Sequence, residues 1–368
     1  MLFFILSFIF TICVAIQLIY YFFLFSKFSF YKPQKTATTT VPVSVIICAK
    51  NEAKNIDKHL ESVLTQDYNN FEVIVVNDAS TDNTLKILNA FKNDHPHLKV
   101  VDIKPTSIYT GNKKNAVTKG IEAATNEHLL FTDADCKPLS KNWITEMTSQ
   151  FSENTTIILG YGGYQKSNNS ILNKIIRYET LLTAVQYFSY AKSGIPYMGV
   201  GRNLAYTKSQ FNLANGFSNH TEMQSGDDDL FINKMATKRN TAICFSNESF
   251  TISTPKKTIG TWFNQKRRHL TTANHYKPIH QFLLGLFFLS QFLFWFLAII
   301  LILFSFKWQL VTILLTIRLI TQYIILGNSA KKLCEKDLIL FFPILDFMLV
   351  IFQLGIFLRN SISKPTSW

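Results

Sequence analysis

Residues 41–84 read VPVSVIICAKNEAKNIDKHLESVLTQDYNNFEVIVVNDASTDNT. Two short runs rich in Val and Ile, Val43–Cys48 and Phe71–Asn77, flank a helix-patterned stretch at Asn55–Leu64, and a second helical pattern follows at Thr81–Phe91. Strand-length apolar runs alternating with helices predict βαβ units, and therefore an α/β fold with a mostly parallel central sheet. Further strands are expected at Lys99–Asp102, His128–Thr132 and Ile157–Tyr161. Such sheets bind ligands beyond the carboxyl ends of their strands. The conspicuous polar residues stand there: Lys50-Asn51-Glu52 after the first strand, Asn77-Asp78-Ala79-Ser80-Thr81-Asp82 after the second, and Asp133-Ala134-Asp135 after the run at 128–132.

Outward from this region the chain turns apolar. It has 368 residues, of which 48% are hydrophobic and 33 are Phe, with a formal charge of +13. The mean hydropathy is +0.13. This composition excludes a disordered chain, a collagen-like chain and an ordinary cytosolic enzyme. Residues 1–26 and 281–306 contain no Asp, Glu, Lys or Arg. A run of about 20 apolar residues is what a helix needs to cross the hydrocarbon core. Spans are expected at Leu2–Phe25, Gln281–Phe306, Gln309–Leu326 and Leu338–Leu358; Pro343 and Asp346 interrupt the last, which leaves a re-entrant or interfacial helix as its alternative. The first run lacks a basic residue before it and a small-x-small site after it, so it reads as a retained anchor rather than a signal peptide. Lys27, Lys32, Lys35 and Lys277 flank the intervening segment, and Lys331, Lys332 and Lys336 lie between spans three and four. The positive-inside rule then places the segment between the first two spans in the cytoplasm. The expectation is an integral protein of a bacterial inner membrane. Cys13, Cys48, Cys136, Cys244 and Cys334 form no C-x-x-C pair and suggest neither a disulfide framework nor zinc.

The expected organisation is an anchor at 1–26, a linker at 27–40, an α/β domain at 41–252, a basic membrane-proximal segment at 253–280, three membrane helices within 281–358, and a tail at 359–368. Residues 36–252 hold 21 basic and 21 acidic side chains, so the whole excess charge lies outside the domain. No acidic residue falls between Glu248 and Glu335. That pattern favours lipid headgroups and a diphosphate over nucleic acid, which would need a basic surface on the folded domain.

The loops after the strands, taken in order, resemble glycosyltransferase family 2. The resemblance covers roughly Val41 to His280 and implies a GT-A nucleotide-sugar-binding fold. Asp133-Ala134-Asp135 has the D-x-D pattern, in which paired carboxylates can hold a hard divalent cation, Mg2+ or Mn2+. An acidic turn is the alternative reading. The resemblance assigns the metal mainly to Asp135, with Asp133 nearer the nucleotide. It gives Asp78 and Glu52 the uracil or ribose end of the donor; capping a helix is the alternative for Asp78. Lys113, in Gly111-Asn112-Lys113-Lys114-Asn115-Ala116, matches the family's Lys-x-x-Ala lysine and is implied at the donor diphosphate.

A third acidic cluster, Gly226-Asp227-Asp228-Asp229-Leu230, offers a general base. Counting back from Leu230 as the family's Glu-Asp-x-x-Leu pattern implies gives Asp227; Gly226 replaces the Glu, so Asp228 is the alternative. Gln265-Lys266-Arg267-Arg268-His269 is similar to Gln-x-x-Arg-Trp, which implies donor roles for Gln265 and Arg268. Lys266 and Arg267 could instead face anionic lipid. His269 stands where processive synthases carry Trp. Gly199–Tyr206 and Asn215-Gly216-Phe217 resemble acceptor-side segments, and Ile171–Tyr190 is expected to be an amphipathic helix beneath or beside the acceptor. Arg318 and Asp346, ionisable residues inside apolar runs, are expected to pair. The resemblance implies inverting sugar transfer from a nucleotide-diphosphate sugar, expected to be a UDP-sugar, and the four expected membrane segments make a lipid or lipid-linked glycan the expected acceptor. A poly-N-acetylglucosamine-like synthase and a catalytically silent membrane scaffold are the alternatives.

Overall fold

A computed structural model describes residues 1–33, 40–106, 109, 111–167, 169–217 and 226–363. Most of the expected Thr-rich linker, Ser225 and the last residues of the tail lie outside the described residues. The chain divides into two compact units. One comprises Gln34–Lys166 and Gly194–Lys256 with Thr366–Trp368; the other comprises Met1–Pro33, Ser167–Ser193 and Lys257–Pro365.

The first unit is built on ten strands among the described residues: β1 (Val43–Ala49), β2 (Phe71–Asp78), β3 (Leu98–Ile103), β4 (His128–Asp133), β5 (Cys136–Pro138), β6 (Ile157–Leu159), β7 (Gly162–Tyr164), β8 (Leu204–Thr207), β9 (Thr241–Ile243) and β10 (Thr251–Ser253). They form a seven-stranded sheet, β3-β2-β1-β4-β8-β6-β9, and a small sheet, β5-β10-β7. The β1–β2, β1–β4, β2–β3 and β6–β9 pairs are parallel, and β8 runs antiparallel to both its neighbours. The expected α/β fold with a mostly parallel central sheet is therefore present. β1 is an almost unbroken apolar run because both its faces are covered, as parallel strands require. Val43, Val45, Ile46, Ile47 and Ala49 are all buried.

Register decides where the chemistry goes. Cys48 of β1 lies level with Val76 of β2 and Asp133 of β4. The three strands end together, so the loops carrying Glu52, Asp78 and Asp133–Asp135 leave from one edge of the sheet. The helix expected at Thr81–Phe91 spans Thr84–Asp94. It starts later because Asp82 accepts the Thr84 N–H at 3.0 Å and Asn51 accepts the Thr81 N–H at 2.8 Å, which ties Ser80–Asp82 into a loop. Asp78 therefore does not cap this helix.

The second unit is helical. Leu2–Ile19, a π-helical turn at Tyr20–Phe25 and Ser26–Ser29 run on as one rod. Helices at Pro278–Leu303, Trp308–Lys332 and Phe342–Ile362 follow, and four segments of this unit are long and apolar enough to cross a membrane. Pro343 does not interrupt the last one. It lies in the first turn, where its missing N–H costs nothing. Asp346 is neutralised, as expected: Arg318 Nη2 reaches its Oδ2 at 3.0 Å, with both side chains fully buried. Tyr178 and Gln291 donate to Oδ1 at 2.7 and 2.6 Å, and Trp295 donates to Oδ2 at 2.8 Å. Gln322 and Gln17 accept from the guanidinium.

Ile171–Lys192 also belongs to the helical unit. It is not amphipathic. Buried residues occur all around it, from Asn173, Ile176 and Arg177 to Tyr187, Phe188 and Tyr190. Arg177 pairs with Glu335 and Asp337, which explains how a charged helix tolerates burial.

Candidate active site

The site starts with the lysine. Helix Lys113–Ala123 is capped by Asn112, whose side chain accepts the N–H groups of Lys114 and Asn115 at 3.0 and 3.3 Å. That cap fixes the first turn, and the Lys113 ammonium lies 3.0 Å from Asp133 Oδ1 and 3.3 Å from Asp227 Oδ2. Burial alone would favour the neutral amine, but Asp133, Asp227 and Asp228 override it and hold Lys113 well above the usual lysine range. One cation thus joins the D-x-D motif to the third acidic cluster. Cys48, Thr132, Asp133, Gly201, Asp227 and Asp228 line the cleft around it.

The two candidate bases differ in how they are held. Asp228 precedes helix Asp229–Met235 as its N-cap; its Oδ1 accepts the Asp229 N–H and its Oδ2 the Gly201 N–H, each at 2.7 Å. Both of its oxygens are committed to the backbone. Burial, Asp227 and Asp229 together push Asp228 up to about 7. Asp227 meets the lysine and the cleft instead. Gly226 has φ +98°, and a Cβ there would lie 2.5 Å from Leu230 Cδ1, so the glutamate of the family pattern does not fit this turn.

Asp133, Asp135 and Cys136 bring one ligand atom each within 4.8 Å of one another. The Cys136 thiol donates to Asp135 Oδ1 at 3.4 Å, and burial keeps it protonated, far above the usual thiol range. Hard oxygen donors remain, which fits Mg2+ or Mn2+ better than a thiophilic metal. Burial and the neighbouring Asp133 raise the Asp135 carboxyl, the penalty that a cation would relieve.

Asp78 is buried, and its Oδ1 accepts the Tyr109 hydroxyl at 2.6 Å. That hydroxyl also accepts from Asn115 Nδ2 at 2.9 Å and from the Asn112 N–H at 3.2 Å. Burial and Asp78 push Tyr109 up to about 12. Sequence reasoning missed Tyr109, which no motif marks. Glu52 accepts from Asn55 Nδ2; burial, with Asp135 and Asp133 nearby, raises its carboxyl against that bond.

Gln265 and Arg268 lie on helix Ile259–Leu270 of the helical unit. Gln265 Oε1 is buried and has no hydrogen-bond partner among the described residues. Lys266 and Arg267 do not face headgroups: Lys266 pairs with Glu179 at 2.7 Å, and Arg267 donates to Asn360 Oδ1 at 2.8 Å and to Ser363.

A mostly parallel sheet gathers a D-x-D pair, a bridging lysine and an acidic helix start near its strand ends, the arrangement that the resemblance to GT-A glycosyltransferases leads one to expect. Residues 44–205 match the family described as Glycosyl transferase family 2. The region resembles a poly-beta-1,6-N-acetyl-D-glucosamine synthase from Staphylococcus epidermidis, 30% identical over 147 residues, which are 39% of this chain and 34% of that protein. It also resembles a UDP-Glc:alpha-D-GlcNAc-diphosphoundecaprenol beta-1,3-glucosyltransferase from Escherichia coli, 28% identical over 136 residues, 36% of this chain and 50% of that one. The chain thus spans between a third and a half of these relatives' lengths. In fold it is similar to a mannosyltransferase from Pyrobaculum calidifontis in complex with GDP-Man and Mn2+, with a TM-score of 0.59 and 19% identity over 94% of this chain and 99% of that chain.

Proposed function

We propose that the chain transfers a sugar, with inversion, from a nucleotide-diphosphate sugar, UDP-linked, to a hydroxyl of a lipid or lipid-linked glycan at the cytoplasmic face of a bacterial inner membrane. The observation that carries this reading is the Lys113 bridge, because it puts Asp227 and the D-x-D carboxylates on one cleft. Asp227 takes the proton of the acceptor hydroxyl. The acceptor oxygen bonds to the anomeric carbon as the bond from that carbon to the diphosphate oxygen breaks, and the electron pair leaves with the nucleoside diphosphate. The Lys113 ammonium lies 3.3 Å from Asp227 Oδ2. Asp133 and Asp135 would hold Mg2+ or Mn2+, which stabilises charge on a departing diphosphate. Asp78 and Glu52 are assigned to the nucleoside. Gln265 and Arg268 are assigned to the donor on their match to Gln-x-x-Arg alone. A lipidic acceptor is favoured by the apolar helices and by the diphosphoundecaprenol substrate in the Escherichia coli relative's name.

A screen of the purified chain in nanodiscs against nucleotide sugars with Mn2+ or Mg2+ tests the reading through nucleoside diphosphate release. Release from one donor fixes its identity. No release from any donor, with lipid extract supplied as acceptor, refutes it. Similarity to the poly-N-acetylglucosamine synthase favours a second reading, processive synthesis, which His269 opposes. Product length separates the two: one added sugar supports the first, a polymer the second.

A further inference from the structure

Arg202, which no motif singles out, is held with unusual economy. Its guanidinium carbon lies 4.3 Å over the Tyr164 ring, and only Nη1 hydrogen-bonds, to Gly163 O and Ser253 Oγ at 3.2 Å each. Its carbonyl accepts the Thr132 and Thr251 hydroxyls at 3.0 and 2.8 Å, which pins the backbone from two sides. A Cβ at Gly162 would lie 2.9 Å from Arg202 Cβ, so the glycine lets the arginine lie against β7. Among the described residues it has no carboxylate within ion-pair distance, and Nε and Nη2 have no hydrogen-bond partner.

The small sheet fixes where this guanidinium is. Ser253 pairs with Tyr164 on one side and Cys136 on the other, and Cys136 follows Asp135. Arg202 therefore stands on the row leading to the D-x-D motif, and Asp135 and Asp133 feel its charge. Gly201, the preceding residue, gives its N–H to Asp228. A stacked, preorganised arginine with two spare donors, placed between paired acids and the acidic helix start, has the geometry of a phosphate fork. A purely structural arginine in such a place would spend its donors on protein acceptors.

We propose that Arg202 binds a phosphoryl oxygen in the cleft through Nε and Nη2. The proposal rests on the transferase reading, and the phosphate could belong to the donor's diphosphate or to a lipid-linked phosphate on the acceptor. The test is calorimetry on the full chain in nanodiscs with Mn2+, using UDP and GDP as donor probes and a polyprenyl phosphate as acceptor probe. Arg202→Gln should weaken one probe by roughly 10- to 100-fold, the loss expected for charge-assisted hydrogen bonds. Loss of nucleoside diphosphate binding identifies the donor as the source; loss of polyprenyl phosphate binding alone identifies the acceptor. Arg202→Lys, which keeps charge but not the fork, should recover only part of the loss, and Mn2+ binding measured by EPR confirms that each variant's site is folded. If Arg202 only tunes Asp135, Arg202→Gln tightens Mn2+ and leaves both probes unchanged, and the proposal is overturned. Wild-type protein that binds neither probe refutes the transferase reading and this one with it. That outcome is distinct from a wild type that binds and a variant that binds equally well.

Discussion

Asp227→Asn and Asp228→Asn should fail in opposite ways. Asp227 faces Lys113 Nζ at 3.3 Å and carries no helix-capping bond, so its amide retains a polar contact and loses only proton-accepting power. A positioned general base is worth about 10²- to 10⁴-fold, or roughly 3–5 kcal/mol of barrier. Asp227→Asn should therefore lose that factor in kcat while nucleoside diphosphate binding stays within a few fold. Asp228 holds two backbone N–H groups at 2.7 Å. Asparagine caps a helix about as well, so the Asp229 bond survives. The Gly201 N–H then faces an amide NH2, which costs about 1–3 kcal/mol of stability. Asp228→Asn should thus melt earlier and bind nucleotide more weakly, with much smaller loss of kcat at saturating donor. The assay is nucleoside diphosphate release in nanodiscs, paired with calorimetric binding and a thermal melt of each variant. An Asp227→Asn enzyme with wild-type kcat, beside an Asp228→Asn enzyme that binds and melts normally but does not turn over, would refute the assignment.

Four other outcomes follow from the same geometry. Asp135→Asn should remove the Mn2+ dependence of nucleotide binding, whereas Cys136→Ser should leave it nearly intact, because the thiol donates to Asp135 rather than binding metal; isothermal titration with and without Mn2+ checks both. Tyr109→Phe frees Asp78 Oδ1 and should tighten UDP or GDP binding about 2- to 10-fold, the worth of one ordinary hydrogen bond; weaker binding would show that the tyrosine helps hold the nucleoside. Asp346→Asn strands the Arg318 charge and should cost about 3–5 kcal/mol, while Arg318→Met with Asp346→Leu together should cost less than either single change, as denaturant unfolding in detergent would record. For Glu72, burial alone would raise the carboxyl, but Lys99, Ser44 and Thr125 bring it from an ordinary 4.5 down to about 2. A depressed folded-state pKa contributes stability above pH 4.5 that disappears as pH falls toward 2. Acid titration of Glu72→Gln should then show a shallower loss over that window, and an unchanged slope would refute the contribution.

What the sequence carried was set by local periodicity. Val43–Cys48 and Phe71–Asn77 alternate with helices whose apolar spacing is plain, so five strands of the large sheet could be anticipated, whereas the short β8 and β9 could not. The small sheet could not, because β5, β7 and β10 are three residues each, too short for a period to register. Arg202 lies within Gly199–Tyr206, which the sequence marks only as an acceptor-side segment; its contacts with Ser253 and Tyr164 depend on that sheet. The start of helix Thr84–Asp94 was placed early because Ser80, Thr81 and Asp82 all suit a cap, and only the bond from Asn51, a long-range partner, shows that Ser80–Asp82 stays a loop. Ile171–Lys192 was misjudged because its burial comes from the helices of its own unit, in particular through Arg177 and Tyr178. Arg318 and Asp346 were legible, since a charge in hydrocarbon has few options beyond a partner.

The neutral total of residues 36–252 conceals a separation of charge. The loops at the sheet's carboxyl edge and the acidic helix start carry Glu52, Asp78, Asp133, Asp135, Asp227 and Asp228, against which stand Lys113 and the charges of Arg202, Lys114 and Lys256. Burial has already raised Glu52, Asp135 and Asp228, the sign that anionic charge is crowded here. A diphosphate brings still more negative charge, and in a partly desolvated cleft the repulsion is stronger than in water. Four protein cations against six carboxylates do not offset it. On the proposed function, the carboxylates call for further positive charge supplied alongside the donor, and Asp133 with Asp135 would receive it. On this balance, nucleoside diphosphate affinity without a divalent cation should be far weaker than with one, and a site of these residues that bound its nucleotide equally well in excess chelator would not be using its acids as argued.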